Sequence, residues 1–112
     1  MIDSYSFGKI VIDGQKYTSD VIILTNRVKG NWWRKEGHTL NPEDLDEVIE
    51  EEPEVLIIGK GKHGRMTVPE KTREYIESKE IKLITKPTDE ACKEFNEISK
   101  KRKTIAALHL TC

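Results

Sequence analysis

The sequence predicts an α/β domain whose central sheet is covered by helices on both faces and preceded by an N-terminal β-hairpin. Three observations predict it. Apolar segments without polar alternation recur at 55–58, 81–85 and 104–110, as strands do when both of their faces are buried. Between them, at 69–78 and 88–101, apolar residues fall on one side only at helical spacing. Upstream, Asp13-Gly14 separates two strand-like runs, and that pair tolerates the positive φ angles of a tight hairpin.

Taken in order, 6–12 and 16–24 read as the two hairpin strands. The connection from 26 to 41 holds Gly30, Trp32, Trp33, Gly37 and His38. So long a loop in a small domain is usually functional or hides a strand, which is placed here at 32–34. Asn41-Pro42 opens a helix, with Asn41 as cap and Pro42 at the first helical position. Leu45, Val48 and Ile49 form its inner stripe, and Pro53 ends it. The Glu50-Glu51-Glu52 run then falls at the negative end of that helix, where it costs stability. Val68, Thr72, Tyr75 and Ile76 face inward from the second helix. Ala91, Cys92, Phe95 and Ile98 do so from the third. Right-handed crossovers make the first strand pair of this strand-helix rhythm a parallel βαβ unit.

At 112 residues, with no linker, repeat or low-complexity tract, the chain forms a single domain spanning 1–112. Hydrophobic residues make up 36% and charged residues 35%, so the core is small and the surface strongly ionic. Lysine and glutamate dominate the charges and Gln15 is the only glutamine, a bias seen in proteins from hot environments. A net charge of −1 gives no global field toward nucleic acid or membrane. No apolar run approaches the roughly 20 residues needed to cross a bilayer. Met1-Ile-Asp-Ser-Tyr lacks the basic start and apolar stretch of a signal peptide. Cys92 and Cys112 are too few for a disulfide framework. The expected setting is therefore cytoplasmic, with reduced thiols.

The segment Val55-Leu-Ile-Ile-Gly-Lys-Gly-Lys-His-Gly-Arg-Met66 carries the strongest chemical signal. Gly59, Gly61 and Gly64 follow a strand, as in loops that offer backbone N–H groups to phosphate. A dinucleotide site also needs an acidic residue near the end of the next strand, where this chain has Thr85-Lys86. A nucleotide-hydrolysing loop needs lysine and a hydroxyl where Arg65 and Met66 stand. A basic turn remains, with Lys60, Lys62, His63 and Arg65 able to meet a small anion, and Asn96 as a further ligand-binding candidate. The competing and favoured reading is a plain strand-to-helix turn whose glycines supply positive φ and whose lysines are solvated.

Cys92 and Asn96 share a helix face, so Cys92 is a weak nucleophile candidate with His63 or His38 as base. Packing as a small apolar residue is the favoured reading. His38, His63 and His109 show no metal-ligand spacing, and neither a metal nor a cofactor is expected. His109, within an apolar strand, reads as a satisfied core or edge residue. Lys100-Lys101-Arg102-Lys103 complements a helix C-terminus, and no aromatic or wider basic surface accompanies it to suggest nucleic acid. Trp32, Trp33, Arg34 and His38 are candidates for a partner surface, since interfaces favour tryptophan and arginine; cover for the sheet edge is the equal alternative.

Several segments together resemble one small α/β family, which includes the vertebrate adipogenesis-associated domain protein and a mitochondrial complex I assembly factor. They are Phe7-Gly8, Tyr17 with Asp20-Val21-Ile22, Trp33-Arg34, Gly37-His38, Leu56-Ile57-Ile58-Gly59-Lys60-Gly61, Thr88, Ala91-Cys92, Phe95-Asn96, Arg102 and Ala106-Ala107-Leu108-His109. Lys60 and Phe95 depart from the threonine and tyrosine usual there. The resemblance implies a three-layer fold with a mixed central sheet and a last strand antiparallel to its neighbours. It implies no established catalysis and points toward a binding or assembly protein. The expectation is a non-enzymatic interaction protein, self-associating or bound to a partner through the 32–38 loop. The alternative is a binder of small anions or phosphometabolites, or an enzyme acting on them, using residues 59–65.

Overall fold

The computed structural model describes residues 1–112. Eight strands form two sheets. The first is an antiparallel meander of β1 (Ile2–Ser6), β2 (Lys9–Ile12) and β3 (Gln15–Tyr17). Ile12 pairs with Gln15 across Asp13-Gly14, whose φ angles of 48° and 81° place both residues in the left-handed region. The expected hairpin is thus present, but its first strand is preceded by another. Phe7-Gly8 makes a second turn, with Gly8 at φ 76°, and β1 folds back onto β2.

The expected strand 16–24 is divided. Its first part is β3, and its second, β4 (Val21–Ile23), belongs to the other sheet. That sheet has the order β5-β4-β8-β6-β7, where β5 is Val28–Lys29, β6 Val55–Lys60, β7 Lys82–Lys86 and β8 Thr104–His109. β6 is parallel to β7 and to β8, whereas β4 is antiparallel to β8. The sheet is therefore mixed. The last strand runs against β4 as expected but along β6, because it returns from β7 by a helical crossover, which leaves strands parallel.

Three helical segments cover the larger sheet. Leaving β6, the chain passes through α2 (Glu70–Ser78) to β7 on one side, then through α3 (Thr88–Ile98) back across β6 to β8. Right-handed crossovers in opposite directions put the two helices on opposite faces. Side-chain alternation agrees. Val55, Ile57, Ala106 and Leu108 pack with Ala91, Cys92 and Phe95 of α3 and with Ile2, Ile10 and Ile12 of the small sheet. Leu56, Ile58, Ile105 and Ala107 pack instead with Ile76 of α2, with Leu45 and Val48, and with Trp32, Leu40 and Met66.

The helix expected from Pro42 is interrupted. A 3-10 turn, Pro42–Leu45, leads into the short α1 (Asp46–Glu50), with Leu45 at φ −113° and ψ 13° at the junction. Asp44 accepts the Asn41 N–H at 2.8 Å. Within the Glu50-Glu51-Glu52 run only Glu51 finds an ion-pair partner, as Glu47 does one turn earlier. Glu47 pairs with Arg27 and Lys29, and Glu51 with Arg27, all reaching from the β4–β5 turn and β5. Lys103 binds the Glu51 carbonyl, one of the orphan acceptors of the helix end. Neutralising cations thus come from outside the segment.

Candidate functional site

In sheets of this kind ligands bind where crossovers diverge, at the carboxyl ends of the strands. Here that place lies between β6, which leads to β7, and its other neighbour β8. Both the glycine loop and the end of the 26–41 connection reach it. Lys60 pairs in register with His109, the Thr67 N–H donates to the His38 carbonyl at 2.7 Å, and the Leu40 N–H donates to the Thr67 carbonyl at 2.9 Å. His38 and His109 lie edge to face, ring centres 6.1 Å apart.

The crevice is filled by the chain itself. Gly61 has φ 96°, and a Cβ there would overlap the backbone of Thr111 and Cys112. The Lys62 N–H donates to the Thr111 carbonyl at 2.8 Å, that of Gly64 to Gly61 at 3.1 Å and that of Met66 to Lys60 at 3.1 Å; Arg65 N–H reaches the Cys112 carbonyl at 3.4 Å. Thr88, at the first turn of α3, accepts the Gly61 N–H at 2.8 Å and donates to the His109 carbonyl at 2.6 Å. A Cβ on Gly59 would stand 2.8 Å from Leu108 and 2.9 Å from the Thr88 hydroxyl. These glycines thus permit close approach of α3 and the C-terminal segment. The amides of Gly61, Lys62, Gly64 and Arg65, which could hold a phosphate, are bonded within the molecule. Lys62 is drawn to Asp89 at 3.3 Å and stands over the Tyr5 ring. His63 and Arg65 are exposed and Lys60 is half-buried.

Asn96 does not join this loop. It lies eight residues along α3 from Thr88, about 12 Å by helical rise. Its side-chain amide accepts from the Ile2 N–H at 2.9 Å and donates to the Ile2 carbonyl at 2.8 Å, capping the free edge of β1 as a strand would. Cys92 is buried beside it, in a 330 Å³ depression with Tyr5, Asp89 and Lys93. Burial, and then the negative charge of Asp89, push its thiol up to about 12. A thiol so held supplies almost no thiolate near neutrality. No histidine lines the depression, so the structure does not bring His63 or His38 to Cys92 there.

The 26–41 connection differs from the expected strand. Hydrogen-bonded pairing occurs at Val28–Lys29 with β4, and 32–34 belongs to no strand. Its side chains still alternate, for a reason that lies underneath. Trp32 is buried, its indole N–H donating to the Asp44 carbonyl at 3.1 Å. Arg34 turns inward over the Trp32 ring at 4.8 Å and donates to Asp20 at 2.7 Å and to the Gly37 carbonyl at 2.9 Å. The Lys35 N–H donates to the Asp44 carboxylate at 3.0 Å. Trp33, between these fixed neighbours, is 75% exposed. Beside it is a groove of about 560 Å³ with Trp32 and Ile22 among its lining residues.

The anchor beneath this loop, Asp20–Arg34–His109, was not grouped by the sequence. Asp20 receives Arg34 and His109 Nδ1 on one oxygen, at 2.7 and 2.8 Å, and the Leu110 N–H on the other at 2.8 Å. The side chains of Arg34 and His109 are only 6% and 7% exposed. Burial alone would push the Asp20 carboxyl up. Hydrogen bonds from His109, Leu110 and Arg34 outweigh it and hold the group below the usual carboxylate range. An ionised Asp20 only accepts, so its 2.8 Å contact calls for a proton on His109 Nδ1, although Arg34 Nη2, a donor, also stands 3.1 Å from that nitrogen. His109 is therefore paired at one nitrogen, while its Nε2 and Arg34 Nε have no partner. One signal was available: a histidine in a wholly buried strand must find a polar partner. Its partner lies 89 residues away, beyond any local pattern.

The match to a family model described as a protein of unknown function, DUF498/DUF598, spans residues 2–109. The hypothetical protein PH1505 from Pyrococcus horikoshii is 28% identical, with a TM-score of 0.86 over 100% of this chain and 99% of that one. A structure titled MT938 is 32% identical, with a TM-score of 0.82 over 100% and 98%. A Bartonella henselae structure, titled an outer membrane protein, is 27% identical with a TM-score of 0.83 over 99% and 94%. In the present chain, no helix is long and apolar enough to cross a membrane. With nearly every residue inside the matched region, the chain belongs to the DUF498/DUF598 family of proteins of unknown function.

Proposed function

We propose that the chain is a non-enzymatic protein-binding module whose contact surface is the 32–38 loop, centred on Trp33. The observation that carries this reading is Trp33 itself, three-quarters exposed while both neighbouring side chains are locked inward. Exposed tryptophans held on a rigid frame are the usual anchors of interfaces, because little conformational freedom is lost when they are covered. The adjoining groove gives a partner somewhere to enter. The resemblance to a family containing a complex I assembly factor supports the same direction.

Two measurements test it. Light scattering after size-exclusion chromatography compares the wild type with Trp33→Ala for self-association. Affinity capture from a lysate, using both proteins as bait, compares retained partners. The expected result is an assembly or partner lost on Trp33→Ala without loss of stability, since exposed substitutions usually change folding by less than about 0.5 kcal/mol. Wild type that is monomeric and captures the same proteins as Trp33→Ala sinks the reading.

A further inference from the structure

From the groove beside Trp33 we infer the chemistry of the partner: a cationic segment that lays an arginine or lysine against the Trp33 face, between Glu43 and Asp46. This rests on the docking reading above and adds the partner's charge to it. Four of the six ionisable side chains lining the groove are acidic: Glu43, Asp44, Asp46 and Glu47. Asp44 is engaged by the Asn41 and Lys35 amides, and Glu47 by Arg27 and Lys29. Glu43 and Asp46 are exposed and form no ion pair within the chain. They fall in the 3-10 turn and at the first residue of α1, so they face the groove from an element whose own acids need outside cations.

An exposed indole next to free carboxylates is a cation-binding arrangement. The ring face attracts a guanidinium or ammonium group, most strongly for tryptophan, and the carboxylates add direct pairing. Lys35 is the groove's only cation without a carboxylate partner, so the field there remains negative. Trp32 already shows the same chemistry internally, with Arg34 stacked over it.

The test uses the full chain labelled with ¹⁵N and two ten-residue peptides, one arginine-rich and one aspartate-rich. Trp33→Phe identifies which of the two indole N–H signals belongs to Trp33. The arginine peptide is expected to shift that signal and the amides of 43–47 saturably, whereas the acidic peptide leaves them in place. Glu43→Gln/Asp46→Asn should weaken binding about ten-fold, at up to about five-fold per exposed charge contact. Glu52→Gln/Glu54→Gln, which neutralises acids lining a different depression, should leave it unchanged. No shift with the arginine peptide overturns the inference, as does equal weakening by the two acid-neutralised pairs. If Trp33→Ala loses an assembly or partner in the earlier assays while the peptide fails here, only the cationic partner is lost and the docking reading stands. A partner or second copy that binds Glu43→Gln/Asp46→Asn as tightly as wild type also overturns it.

Discussion

Asp20→Asn removes one charge and almost no volume, and the structure sets what that costs. The carboxylate accepts three hydrogen bonds, from Arg34, His109 and the Leu110 N–H, at 2.7, 2.8 and 2.8 Å. An asparagine oxygen still serves Leu110, but its NH₂ group then meets the Arg34 and His109 donors. Arg34, with a side chain only 6% exposed, is left without its counter-charge. Removing one partner of such a buried pair costs about 3–5 kcal/mol, a large part of the roughly 5–15 kcal/mol that stabilises a domain. At about 4 °C per kcal/mol, the melting temperature falls by roughly 12–20 °C. Urea unfolding measures it directly, with an unchanged slope showing that the cooperative unit is the same. Arg34→Met should cost a similar amount, and the double variant clearly less than the sum, because no orphan charge remains. A coupling of about 2 kcal/mol is expected between the two sites. A cost below about 1 kcal/mol for Asp20→Asn, or strict additivity of the pair, would refute the account of the anchor.

Three further outcomes follow from the same geometry. Because the folded-state pKa of Asp20 is lowered, its contribution is complete above the unfolded value of about 3.9. It is lost as pH falls from there through the folded value, so between pH 6 and 2.5 wild type loses more stability than Asp20→Asn; parallel profiles would argue against a depressed carboxyl. Gly61→Ala, at φ 96° against the backbone of Thr111 and Cys112, costs at least about 1–3 kcal/mol from backbone strain alone and loosens the C-terminal segment. Hydrogen exchange should show Lys62 losing protection, and an unchanged exchange rate there would contradict the packing. Alkylation at pH 8 in native buffer should modify Cys112 and spare Cys92, whose thiol is pushed up to about 12; mass spectrometry finding Cys92 modified as readily in the folded as in the unfolded chain would reverse that assignment.

Which parts of the molecule were legible follows from how far apart the interacting residues lie. β6, α2, β7, α3 and β8 declare themselves locally, because each carries its own period, even though β8 also pairs with distant β4 and α3 also packs on the small sheet. The Asp13-Gly14 turn is legible for the same reason. β1 was missed because its residues Asp3, Ser4 and Ser6 are exposed and only Ile2 enters the core; its edge is held by Asn96, 94 residues away. The break between β3 and β4 was hidden because Asp20 must leave the small sheet to meet His109 and Leu110. At 32–34 the alternation in the sequence was real, yet it reflected a buried Trp32 and Arg34 rather than a strand neighbour. The glycine loop was correctly placed after a strand. That its amides serve the chain's own final residues was unreadable, since nothing near position 61 indicates where residues 111 and 112 lie.

The position of β8 in the sheet bears on how the protein is made. It is synthesised after both β4 and β6, yet it lies between them. Until residues 104–109 emerge from the ribosome, Val21–Ile23 has only two-residue β5 as a partner, and one side of β6 stands open. Chains grow at about 5–20 residues per second, so for seconds a nascent chain exposes the apolar edges of β4 and β6 that β8 will later cover. Pairings of such sequence separation also close slowly. Translational pauses before codon 104 should therefore raise aggregation more than pauses elsewhere, and a chaperone bound to the emerging chain would be expected over β4 and β6.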